Sequence, residues 1–138
     1  MVLIRCDTLS PQPGSTVHSN YISNQRRRDS PLYFDEGSGG FHIHHNVIFH
    51  PPEEGCSAHN SSCQWLHVNT GARDIQIDHI YANQPTGNDT QSTTNISNVT
   101  LAEIYIINGS VFSAAARAIM EGAGVRSEAK ERTRGLLA

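Results

Sequence analysis

The chain has 138 residues, 37% hydrophobic and 17% charged, which suits one globular domain and is unlike a disordered chain. A net charge of −3 and a pI near 6.2 argue against the basic face that general affinity for nucleic acid requires. No apolar run approaches the roughly 18 to 20 residues of a membrane span, and the first residues lack the basic segment, apolar core and cleavage site of a signal peptide.

Short apolar alternations separated by polar turns recur from the N-terminus onward, and a period of two predicts strands. Ile4-Arg-Cys6-Asp7 is the first, weakly matched to Leu32-Tyr-Phe34-Asp35 at an offset of 28. Val17-His-Ser-Asn20-Tyr-Ile22 follows, and repeats as Ile43-His-His-Asn46-Val-Ile48 at an offset of 26. Leu32 to Asp35 recurs as Leu66-His-Val68-Asn69 at 34, and Phe41 and Ile43 recur as Ile75 and Ile77 at the same offset. Those two isoleucines correspond in turn to Val99 and Leu101 at 24. The repeat therefore carries at least two strands.

Unequal offsets suit a parallel β-helix, in which insertions bulge as loops while stacked strands keep their register. The polar or turn-forming stretches 23–30, 51–62 and 84–94 are the expected insertions. The fold class read from this pattern is all-β, a solenoid of stacked coils over residues 1–112, with a C-terminal helical cap and tail over 113–138. The helix is expected at Ser113-Ala-Ala-Ala-Arg-Ala-Ile-Met-Glu121, from an N-cap serine and strong helix formers, with Gly122 as its stop. Such a helix can cover the final apolar layer of stacked repeats.

Cys56 and Cys63 bracket a polar insertion that a local disulfide could close, while Cys6 is left over. Five glycosylation sequons, at Asn60, Asn88, Asn95, Asn98 and Asn108, point to an extracellular, secreted glycoprotein. With no export signal in the chain, the economical reading is a fragment, the C-terminal part of a larger protein whose N-terminal coils lie upstream.

Leu32-Tyr-Phe-Asp35-Glu36-Gly37-Ser38, followed by Phe41-His-Ile-His-His-Asn46-Val-Ile, resembles the right-handed parallel β-helix proteins of the pectin-lyase-like group, especially carbohydrate-active members. The resemblance takes in Trp65-Leu-His67-Val and the closing Ala115 to Gly124, and covers Thr16 to Val125. It implies glycoside hydrolases, polysaccharide lyases or repeat proteins without assigned activity. Polar residues from Asn88 to Asn95 stand where another well-formed first strand is expected, so the groove is expected to end at the Trp65 coil.

Alternation sends the side chains between core residues outward. The aligned strands then give two exposed columns, Arg5-Tyr33-His67 and Asp7-Asp35-Asn69, which read as a polar sugar-binding face. Strands about 4.8 Å apart would bring Asp7 and Asp35 near the roughly 5 to 5.5 Å carboxylate spacing of retaining glycosidases. Glu36, Glu53 or Glu54 is the substitute partner if Asp7 is out of register. Asp35-Glu36-Gly37-Ser38 reads equally as a strand-ending turn in which Asp and Ser bond local backbone.

The candidate catalytic residues are thus Asp35, Glu36, Asp7 and His67; Tyr33, Arg5, Asn69, His42 and His44 are candidates for substrate binding. His42 and His44 share a strand face, which raises a metal site with His67 or a carboxylate, but no zinc spacing is present and no metal or cofactor is expected. Calcium enters only if the protein is a lyase that abstracts a proton with Arg5 or one of Arg26, Arg27 and Arg28. Hydrolysis of a polysaccharide is preferred; a lyase and a noncatalytic glycan-binding or adhesion β-helix are the alternatives.

Overall fold

The computed structural model describes residues 2–4, 14–23, 30–49, 64–83, 88–89 and 95–124. The described chain is β-rich, with ten strands and one helix. In order these are β1 (Val2–Ile4), β2 (Ser15–His18), β3 (Tyr21–Ser23), β4 (Leu32–Phe34), β5 (Gly39–Phe49), β6 (Leu66–Val68), β7 (Arg73–Ala82), β8 (Asn88–Asp89), β9 (Ser97–Leu101), β10 (Ile104–Ile106) and α1 (Ala114–Gly122).

Every strand pairing is parallel. One sheet, A, runs β1-β4-β6-β8, and the other, B, has β5 and β7 at its centre, with β2 and β3 on one side and β9 and β10 on the other. The chain passes alternately between the two sheets, so the sequence order of strands is also their spatial order.

Registers follow the apolar repeat. Val17 pairs with Ile43 and Ile22 with Ile48; Ile43 pairs with Ile77 and Leu32 with Leu66; Ile75 and Ile77 pair with Val99 and Leu101. The N-terminal match needs correction: Val2, not Ile4, pairs with Leu32, an offset of 30 in place of 28, so Leu3 stands beside Tyr33 where Arg5 was expected. Either offset puts apolar residues on the same face, because strand periodicity is two, and the apolar pattern by itself does not distinguish them. A further correction concerns the polar stretch after β7, where Asn88 and Asp89 do form a short strand, paired with Leu66 and His67.

Leu32, Phe34, Leu66 and Val68 of sheet A meet Phe41, Ile43, Ile48, Ile75, Ile77, Ile80 and Ala82 of sheet B in one core, closed by Trp65 and Ala72. Most of these side chains are fully buried, each worth roughly 1.5–3 kcal/mol for a large aliphatic or aromatic group.

A bend recurs near the middle of the long strands. Ser19, His45, His79 and Glu103 occupy successive equivalent positions and all have φ near +50°. A single left-handed residue turns the strand and resets its alternation, so that Ile43 and Asn46 both point inward although three residues apart. Asn46 fills the inside of this bend and is fully buried. Its Oδ1 accepts from the backbone and side-chain amides of Asn20, both at 3.0 Å, and its Nδ2 donates to Val17 and His44 carbonyls, both at 2.9 Å. The Ser19-Asn20 and His45-Asn46 positions thus stack through hydrogen bonds running from strand to strand.

Ser113 caps α1 by accepting from Ala116 N at 3.1 Å. Gly122 is the last helical residue and not the stop beyond it. The helix also lies elsewhere than expected: Ala116, Ile119 and Met120, with Phe112 and Ile107, pack on Val47 and Tyr81, on the flank of sheet B. Its apolar stripe finds Val47, a small outward residue beside the larger Tyr81, whereas Tyr105 and Ile106 at the end of the sheet stay exposed.

Replacing Asn46 with Ala removes the donor to two carbonyls and the acceptor for Asn20. We expect a loss of ~2–4 kcal/mol, read as a lower urea midpoint with unchanged m-value. Asn46→Asp should lose at least as much, because its second oxygen would face the Val17 and His44 carbonyls.

Candidate functional site

On sheet A, the described members of both expected columns stack. Tyr33 and His67 rings lie 4.7 Å apart and nearly parallel, and Asn69 Nδ2 donates to Asp35 Oδ1 at 3.3 Å and, at 3.5 Å, to the Tyr33 hydroxyl. Asp35 Oδ1 also accepts from Glu36 N at 2.9 Å, and its carbonyl accepts from Ser38 N at 3.1 Å. Its carboxylate is therefore engaged in the turn that ends β4, while Glu36 is exposed beside it. Arg5, Asp7, Arg26 to Arg28, Glu53, Glu54, Cys56 and Cys63 lie outside the described residues.

A denser constellation stands on the outer face of sheet B. His42 and His44 share that face, with ring centroids 4.4 Å apart. His67, on sheet A, is not paired with these strands. Their neighbours come instead from the adjoining strands: parallel pairing aligns Thr16, His42, Gln76 and Thr100 in one column and His18, His44 and Asp78 in the next. The bend supplies a third column, in which His45 and His79 stack at 4.4 Å.

Asp78 is the hub. His42 Nε2 donates to its Oδ2 at 2.7 Å and Gln76 Nε2 to the same oxygen at 2.9 Å. On the other side, His79 Nδ1 is 2.8 Å from Asp78 Oδ1, and His79 Nε2 is 2.7 Å from Glu103 Oε2. Burial alone would raise the Asp78 pKa, but the hydrogen bonds from His79, His42 and Gln76 outweigh it and pull it down to about 2. His44 is pushed below the ordinary imidazole value, first by burial and then by His42, His18 and His45, with Asp78 opposing.

His42 and Gln76 also belong to an open groove of about 490 Å³ that crosses β2, β5, β7 and β9. Asp74, Asn98 and Thr100 add polar groups, and Phe41 and Ile75 apolar ones. A second column of left-handed residues, Gly14, Gly40, Asp74 and Asn98, borders it, and Asn98 Nδ2 donates to Asp74 Oδ1 at 2.8 Å. Small residues at two of these positions leave the groove open at its β2 end.

His45, Asp78 and His79 each offer a ligand atom within 4.8 Å of the others, a group able to hold a metal ion. Two nitrogens and one carboxylate do not suit calcium, which takes six to eight oxygens. The sequence reading missed Asp78, His79, Gln76 and Glu103. Extending the same offset of 34 from His44-His45 reaches Asp78-His79, so the signal was present in the repeat.

No family model matches the chain, and neither a curated protein nor a solved structure shows significant similarity to it. Among the described residues no helix is long and apolar enough to cross a membrane.

In metal-free buffer, folding stability should fall on acidification in two steps. The unfolded chain takes a proton on His44 before the folded one does, so that contribution is complete above about 6.5 and declines below it. Asp78 has the lower pKa when folded, so its contribution is present above about 3.8 and is lost towards pH 2. Denaturation midpoints across pH check this; His44→Gln should flatten the first step and leave the second.

Proposed function

We propose that the chain forms coils of a right-handed parallel β-helix of the pectin-lyase-like kind, that the protein is secreted, and that it binds a polysaccharide in the groove of sheet B and hydrolyses it. The observation that carries this reading is the hydrogen bond of 2.7 Å from His42 to Asp78 at the groove. It combines a proton-transfer group with an ionised carboxylate that orients it, beside a surface open to a long polar ligand.

Parallel, in-register strands repeat polar side chains about every 4.8 Å across the groove, a lattice of hydrogen-bonding groups suited to a polymer of hydroxyl-rich units. Hydrolysis of a glycosidic bond needs a proton for the leaving oxygen and a negative group for the positive charge that develops at the sugar. His42, held by Asp78 and Gln76, is suited to the first task, and Asp74 places a carboxylate in the same groove. The centre of this reading lies on sheet B, since Asp35 on sheet A is bonded into its turn.

The test is release of reducing ends from a panel of polysaccharides by the protein and its His42→Gln variant, with retention of each polymer measured in parallel. We expect turnover to fall about 10²- to 10⁴-fold in the variant with binding kept. Products bearing a double bond would identify a lyase instead. Retention without turnover would leave a glycan-binding module, and neither retention nor turnover would overturn the reading.

A further inference from the structure

The histidines around Asp78 have a second property that does not depend on any glycan. His45 and His79 come from the bends of neighbouring strands, where their φ values of 52° and 49° hold the two backbones alike and stack the rings at 4.4 Å. Asp78, immediately before one bend, aims a nearly buried carboxylate at the same place. We propose that His45, Asp78 and His79 bind a single divalent transition-metal ion of the zinc class, with solvent completing its coordination.

Three ligands with an open fourth position are a common arrangement for zinc, and the mixture of two imidazoles and a carboxylate fits its donor preference. The surroundings of the ligands are already those of a metal centre. Glu103 Oε2 lies 2.7 Å from His79 Nε2, which leaves Nδ1, on the Asp78 side, as the ligating atom. His42 and Gln76 both bond Asp78 Oδ2, which leaves Oδ1 for the ion. Such outer partners orient metal ligands and raise their basicity. His45 Nδ1 is 2.9 Å from His44 Nδ1, and with His45 as the donor in that bond its Nε2 is the unprotonated nitrogen left for coordination.

Bonds of 2.0–2.1 Å at a tetrahedral angle set ligand atoms about 3.4 Å apart. The widest separation here is within 4.8 Å, so one side chain must close by roughly an ångström, and His45 is exposed and able to rotate. Between His79 Nδ1 and Asp78 Oδ1 stands the one proton that the ion must displace, and it leaves to solvent.

The experiment is equilibrium dialysis of the full chain, freed of metal, against zinc, with calcium as control and cobalt(II) as the spectroscopic probe. We expect one zinc per chain, no comparable uptake of calcium, and cobalt absorption of a low-coordinate nitrogen and oxygen site. His45→Asn and His79→Asn keep a residue that tolerates a left-handed backbone, and each should weaken zinc binding more than tenfold while circular dichroism stays unchanged. Glu103→Gln, at an exposed position, should weaken it about 10- to 100-fold. Absence of zinc binding overturns the proposal. So does binding that is equally tight in folded His45→Asn and His79→Asn, which would put the ion on other histidines or cysteines. Should those variants not fold, unchanged affinity in Glu103→Gln overturns it as well.

Discussion

The constraint on which the rest depends is one-to-one stacking of equivalent residues across parallel strands. In-register parallel pairing sets each side chain beside its counterpart about 4.8 Å away, so whatever the sequence repeats, the structure multiplies. Repeated isoleucines become a continuous core, and a repeated left-handed residue becomes a bend repeated at four stacked positions. Repeated asparagine becomes a ladder in which Asn46 satisfies its amide entirely with protein groups.

The same rule would stack like charges on the outer face, and Asp78 is where the chain avoids that. The position after His18 and His44 in that column is an aspartate, not a third histidine. Its carboxylate bonds histidines from two columns at once, and at the bend Glu103 follows His45 and His79. The result is a compact array of imidazoles with acidic groups set within it, so that imidazole meets carboxylate at Asp78 and at Glu103.

Groove and cluster meet at His42 and Gln76, which line one and support the other. A ligand in the groove and an ion at His45, Asp78 and His79 would therefore touch through the same carboxylate. Sheet A has no corresponding feature among the described residues: Asp35 and Asn69 are bonded to one another and to their turns, as a strand-ending turn demands.

The amino-acid sequence determined the strands and most of their registers, because an apolar period of two and the repeated Asn20 and Asn46 leave few ways to stack them. It also placed His42 and His44 outward together, since alternation alone decides that. Tertiary structure decided the rest. The two-residue shift of β1 is silent in the apolar pattern, and α1 took the flank of sheet B because Val47 and Tyr81 present an apolar surface there. Above all, the cluster joins residues up to 85 positions apart, from His18 to Glu103, neither of which stands out from others of its kind in the sequence, and a charge becomes a histidine's partner only when pairing sets the two strands side by side.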